Sequence, residues 1–258
     1  MDNKLLIAKI EDKINTCKTK NKITTTEFLN EYQIKALEKE LINLKQKNYF
    51  FYGGYNNSIR KVLIFYPEKI SKEDVLKNIN NILNVIKIEL PNEINGTIKH
   101  KDYLGTIMSF GLVRERIGDI ICFDNKAYII VLKENSEYIK NELKQERRFK
   151  KAKIEIINLN EIEEKEIEFE QLKISVNSLR LDNIISEIIK TSRKTAQEYL
   201  ENERIYINYE VETKNTKQIK EKDLLVIRGK GKYIIDEFLG QNKKRKNSYK
   251  YKKIYIKM

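Results

Sequence analysis

The stretch Ser178 to Asn208, SLRLDNIISEIIKTSRKTAQEYLENERIYIN, leaves the chain few choices of local fold. Leu181, Ile184, Ile185 and Ile188 recur at the spacing of an amphipathic helix that lays one face on a core. Ser192 fits an N-cap, because its hydroxyl can accept from the free N–H groups that open a following helix, and Ala196 and Leu200 are that helix's inner residues. The second helix then starts at Arg193 and Lys194, where unpaired amides and a partial positive charge suit a phosphate oxygen. Arg180, at the start of the first helix, adds a third cation. Ile205 and Ile207 alternate with Tyr206, the period of a half-buried strand.

The distribution of charge supports an anionic partner better than its total. Of the net +13 over 258 residues, +10 lies from Leu172 onward. Attraction to a phosphate backbone calls for cations clustered in this way. The end of the chain is basic without relief: Lys243, Lys244, Arg245 and Lys246 lead to Lys257 with no acidic residue after Glu237, and Tyr249, Tyr251 and Tyr255 are interleaved. This segment is expected to be a tail that contacts RNA, with cations for phosphates and tyrosines for stacking.

Other features exclude whole classes. With one histidine, His100, and two widely separated cysteines, Cys17 and Cys122, a metal centre is not expected. No apolar run approaches the twenty or so residues that span a bilayer, and the opening MDNKLLIAKIEDK is too charged for a signal-peptide core. A cytoplasmic protein without a membrane partner is expected.

Along the chain, residues 1–71 read as mostly helical. Leu6, Ile10 and Ile14 share one helix face. Asn30 and Gln33 form a capping box for a second helix with an inner stripe of Ile34, Leu37, Leu41 and Leu44. Phe50 to Tyr55 sets aromatics around a paired-glycine turn and is assigned to a small core. Residues 72–160 read helix, strand, helix, strand, strand, helix, strand, with strands at Val85–Leu90, Asp119–Phe123, Ala127–Leu132 and Lys153–Asn158. Without the first helix this is βαββαβ, a ferredoxin-like arrangement shared with RNA-recognition modules, although the glycine-aromatic run for base stacking is missing. Seven glutamates between Glu155 and Glu170 mark a solvated domain junction. Residues 172–258 form the last domain, in which Arg228-Gly229-Lys230-Gly231-Lys232 is a hairpin turn between strands Leu224–Ile227 and Tyr233–Leu239.

Arg180-Leu181-Asp182, Ser192-Arg193 and Ile205-Tyr206-Ile207-Asn208 resemble the pattern of the S4-type RNA-binding domain, and Asp223 to Ile227 resembles its closing turn and strand. That family usually has glycine where Glu203 and Lys222 stand here, at turns that favour positive φ. Phe51-Tyr52-Gly53-Gly54-Tyr55, His100 to Gly105, Arg114 to Ile120 and Arg228 to Tyr233 extend the likeness over nearly the whole chain to the bacterial YlmH family. The resemblance implies an α+β protein: a helical N-terminal region, a ferredoxin-like central domain, and a C-terminal S4-type αα hairpin with a small β-sheet.

It also implies a non-enzymatic, cofactor-free protein that binds structured RNA, rRNA or tRNA. The expected partner is the large ribosomal subunit, including subunits carrying a stalled peptidyl-tRNA in ribosome quality control. No small-molecule ligand is expected. The candidate RNA contacts are Arg180, Ser192, Arg193, Lys194 and Gln197 on the helix pair; Arg228, Lys230 and Lys232 on the hairpin; and Lys243, Lys244, Arg245 and Lys246 in the tail. His100, Lys101, Arg114 and Arg116 make a candidate second patch, balanced against a reading as surface charges beside a packing helix. The rival functions are an S4-domain pseudouridine synthase or methyltransferase, for which no catalytic segment is visible, and a cell-division scaffold.

Overall fold

The computed structural model describes residues 3–94, 97–164, 168–178, 180–241 and 247–255. The chain divides into two units, Met1–Lys165 and Glu166–Lys257.

In the first unit, α1 (Asn3–Lys20) buries Leu6, Ile10, Ile14 and Cys17 along one face. After β1 (Thr24–Thr25), Asn30 caps α2 (Glu31–Asn43) with the full box: the Gln33 amide donates to Asn30 Oδ1 at 2.9 Å, and the Asn30 amide to Gln33 Oε1 at 2.9 Å. Leu37 and Leu41 are buried as the stripe requires, but Leu44 is the C-cap residue and lies exposed. The expectation of a mostly helical region missed a three-stranded antiparallel sheet, ordered β1-β3-β2, formed with β2 (Tyr49–Tyr52) and β3 (Val62–Phe65). Its strands are too short to show a period, and all four residues of β3 are buried, so no polar alternation marks it.

The βαββαβ reading holds. Following α3 (Lys72–Lys77) come β4 (Leu83–Glu89), α4 (His100–Ser109), β5 (Ile117–Cys122), β6 (Lys126–Leu132), α5 (Lys133–Gln145) and β7 (Lys153–Ile157). The sheet is antiparallel, ordered β5-β6-β4-β7. One face packs under α4 and α5 around Tyr103, Ile107, Ile139 and Leu143. The other shares a core with Phe28, Phe50, Val62 and Ile64 of the preceding region. Residues 1–71 and 72–160 therefore meet through a common core, and the boundary expected near residue 71 does not separate two bodies. The acid-rich junction is also more ordered than expected: Glu163 pairs with Lys126 and accepts from the Tyr128 hydroxyl, and Glu164 accepts from Asn56 and Asn57.

The second unit contains β8 (Glu168–Val176), α6 (Leu181–Ile188), α7 (Arg193–Glu201), β9 (Ile205–Ile207), β10 (Glu210–Val211), β11 (Leu224–Ile227), β12 (Gly231–Gln241) and β13 (Asn247–Tyr255). Its antiparallel sheet runs β10-β9-β11-β12-β13-β8. Leu181, Ile184, Ile185, Ile188, Ala196 and Leu200 of the helix pair are buried in one core with strand residues Ile205, Leu225 and Ile235. Among the described residues, no helix is long and apolar enough to cross a membrane.

Candidate nucleic-acid interface

The first turns of α6 and α7 meet over one carboxylate. Asp182, with a fully buried side chain, accepts from Arg180 Nε at 3.2 Å on Oδ1 and from Arg180 Nη2 at 3.2 Å on Oδ2. Arg193 Nη2 and Gln197 Nε2 reach Oδ2 at 2.9 and 3.3 Å, and the Asn183 amide reaches Oδ1 at 2.9 Å. Burial alone would push this carboxyl up, but these donors and the Arg193 charge hold it down at about 2. One fixed negative charge thus orients two guanidiniums that remain 39% and 55% exposed, for Arg180 and Arg193 respectively. Their other N–H donors are left for an anion, and the pair with Asp182 carries a net +1. Ser192 caps α7, its Oγ accepting from the Thr195 amide at 3.0 Å, and Lys194 lies exposed beside Arg193. Five of the sequence-predicted residues are therefore brought together. The organiser, Asp182, was visible only as part of a motif.

The hairpin forms as expected, with Ile227 opposite Gly231 and Arg228 and Lys230 exposed. The Arg228 carbonyl accepts from Arg204 Nη2 at 3.1 Å, and the Arg204 guanidinium sits 4.3 Å from the Tyr199 ring centroid. Arg204 follows the last turn of α7, roughly 13 Å of helix from Arg193 at 1.5 Å per residue. The hairpin therefore makes its own group with Arg204, a residue missed in the sequence although its position after a helix and before a strand was readable. Lys232 lies with its Nζ 5.3 Å from the Tyr209 ring centroid.

The expected tail requires correction. Lys243, Lys244, Arg245 and Lys246 lie outside the described residues, but Asn247–Tyr255 is strand β13, paired with both β12 and β8. Tyr251 is buried in the core against Tyr233 and is not free to stack on a base.

In the second patch, Arg114 and Arg116 are already engaged within the unit. Arg114 is turned inward, donating from Nη1 to the Gly118 carbonyl at 3.1 Å and closely to the Ile117 carbonyl; burial and the neighbouring Arg60 lower it to about 10. Arg116 is held by Glu27 at 3.1 Å and by Glu134. His100 is half-buried and lowered first by burial and then by Arg114, while Lys101 lies exposed. What these runs build instead is a buried stitch at Asp119. That carboxylate accepts from the Ile59 amide at 2.6 Å, the Arg60 amide at 3.1 Å and the Tyr55 hydroxyl at 3.0 Å. Burial raises it, partly offset by these bonds and by Arg114. The paired glycines serve the same packing: a Cβ on Gly53 would lie 2.3 Å from the Arg60 carbonyl oxygen. Among the described residues, no group of three or more His, Cys, Asp and Glu side chains is placed to hold a metal ion.

Fold and cluster together define an α+β protein with a preorganised cationic surface on its second unit. Comparison with known proteins places its relatives. Residues 79–166 match the family model described as "Putative RNA-binding domain in YlmH". The ribosome-associated protein quality control protein P2 of Bacillus subtilis (strain 168) is 27% identical over 196 residues, covering 76% of this chain and 74% of the relative. A solved structure, cell division protein ylmH from Streptococcus pneumoniae, is 19% identical at a TM-score of 0.49, covering 62% of this chain and 94% of that one. The likeness to the YlmH family drawn from the sequence motifs is thus borne out, and the matched model lies within the central domain and its junction.

Proposed function

We propose that the unit Glu166–Lys257 is an S4-type RNA-binding domain, and that the chain is a ribosome-associated factor that holds structured RNA without making or breaking a bond. The observation that carries this reading is the buried Asp182 carboxylate gripping Arg180, Arg193 and Gln197, which presents two guanidiniums in a fixed geometry at the start of α7. Guanidiniums so held match phosphate oxygens in pairs, and their orientation does not have to be ordered at binding. The match of residues 79–166 to a putative RNA-binding domain supports a nucleic-acid partner. The relative named for ribosome-associated quality control supports the ribosome as the place; the large subunit carrying a stalled peptidyl-tRNA is the finer part of the proposal.

Sedimentation of lysate through sucrose gradients at low and high salt, followed by sequencing of crosslinked RNA, tests this. Co-migration with large subunits, with rRNA or tRNA crosslinks through the second unit, is the expected result. Crosslinks to one unrelated RNA away from ribosomes would overturn the ribosomal assignment, and no crosslinks would remove the RNA reading. A pseudouridine or methyl mark that depends on this chain would overturn the non-enzymatic part.

A further inference from the structure

One face of the central sheet lies under α4 and α5; on the other, beyond the shared core, Lys87 pairs with Glu89 and Lys153 with Glu155. Along β6, Ala127, Ile129 and Val131 enter the core under α4 and α5, while Tyr128, Ile130 and Leu132 enter the core shared with Phe28 and Phe50. The apolar residues of both faces are buried and the exposed ones are charged, which leaves no aromatic platform for base stacking among the described residues of the sheet.

One concavity of this unit, about 460 Å³, lies where α1 ends, where α2 runs into β2 and where β3 runs toward α3. Lys18, Lys45, Lys47 and Lys69 line it, against the single carboxylate of Glu68. All four lysines are exposed, and none is ion-paired to a described residue. Lysines at helix C-termini ordinarily complement exposed carbonyls; here three of those carbonyls are already bonded, Cys17 by the Lys22 amide at 3.3 Å, Leu41 by Gln46 at 3.0 Å and Ile42 by Lys45 at 3.0 Å. Lys47 and Lys69, moreover, lie outside both helices. A wider cleft in the same unit, about 740 Å³, is lined by Arg147, Arg148, Lys150 and Lys151, but Glu93, Asp102 and Glu146 line it too, and Arg148 is bound to Asp102 at 3.3 Å.

We propose that the cleft of Lys18, Lys45, Lys47 and Lys69 is a second RNA-backbone contact, separate from the Asp182 cluster. It rests on the RNA-binding reading above. Ammonium groups act as hydrated point charges, so the cleft adds affinity for phosphate and little choice among sequences.

The test uses the full chain and purified ribosomal RNA in filter binding across a salt series. Lys18→Gln, Lys47→Gln and Lys69→Gln are combined with Lys45→Asn, chosen because position 45 has φ of 50° and asparagine tolerates that conformation. Four lost contacts, at about 0.7 to 0.9 each, are expected to lower the slope of log affinity against log salt by roughly 3. In parallel, lysine acylation of the unaltered chain should be blocked at these four positions by the RNA. A wild-type slope in the quadruple variant together with unprotected lysines would overturn the cleft while leaving the Asp182 reading intact. An unchanged slope with loss of binding to whole subunits would give the cleft to an acidic protein and equally overturn it. Failure of the unaltered chain to bind rRNA at all would instead count against the RNA-binding reading.

Discussion

Two buried aspartates, one in each unit, show how the same side chain can serve display in one place and cohesion in another. Asp182 sits under side-chain donors whose far ends are in solvent, so its charge is spent holding Arg180 and Arg193 outward. Asp119 sits under the Ile59 and Arg60 amides and the Tyr55 hydroxyl, with the inward-turned Arg114 nearby, so its charge ties two stretches of chain together. Their titrations follow: burial pushes both up, but at Asp182 the two guanidiniums and Gln197 together outweigh it and lower the carboxyl, whereas at Asp119 burial prevails and raises it. A charge pair is a candidate binding element when the cation remains exposed and a structural one when both partners are inside.

The largest effect is expected at the cohesive site. Asp119→Ala leaves two amides and a hydroxyl unsatisfied and strips Arg114 of its nearby countercharge, which should cost about 4 kcal/mol. Hydrogen exchange should report it as faster opening confined to the first unit, with the salt dependence of RNA binding unchanged. Asp182→Ala should cost less, about 2–3 kcal/mol, because Arg180 and Arg193 can turn to water once released. It should also weaken RNA binding several-fold, and unchanged affinity would erase the contrast.

Acid separates the two sites by sign. The folded-state value of Asp182 is depressed, so its contribution is full above the ordinary carboxylate range and is lost as pH falls through that range toward about 2. That of Asp119 is raised, so stability from this group is greatest below the ordinary range and declines as pH climbs through its elevated value. Unit-resolved exchange between pH 5 and 2 should loosen the second unit, and Asp182→Asn should flatten that loss.

A smaller effect should follow from Arg193→Ala with Lys194→Ala. Both side chains are exposed and Arg180 still holds Asp182, so stability should change by less than about 1 kcal/mol. The salt slope should fall by about 1.5, at 0.7 to 0.9 per lost phosphate contact. An unchanged slope in filter binding would remove these residues from the interface.

Local signals were legible where their partners lie close in sequence. Asn30 and Gln33 cap across three residues, Ser192 caps at Thr195, and the hairpin at Arg228 closes with neighbouring strands. What the sequence hid depends on distant chain. β13 reads as a basic tail because its lysines are frequent, yet it pairs with β12 and with Glu168–Val176, and its place in that sheet turns Tyr251 inward. Arg114 and Arg116 look alike in RER, and their fates are set by the fold: one turns into the Asp119 network, the other toward Glu27 and Glu134. The Asp182 cluster lies between these cases, since its residues, Asp182 among them, were in view individually and the role of that carboxylate in joining them was not.

The smallest expected effect concerns the turns that support the displayed cations. Glu203 and Lys222, which stand where the resembled motif has glycine, both adopt left-handed φ, 53° and 68°. The geometry has been kept without the residue that makes it easy, and for an L side chain it costs roughly 1 kcal/mol per position. Glycine relieves that strain but gives back unfolded-state freedom, so Glu203→Gly and Lys222→Gly should each stabilise the second unit by about 0.5 kcal/mol. Thermal melts should show a rise in Tm of a few degrees for the pair, with RNA affinity and salt slope unchanged. A fall in Tm would mean that the side chains at these turns contribute more than their backbone strain costs. A changed slope would extend the RNA surface to the turns themselves and weaken the division between residues that display and residues that hold.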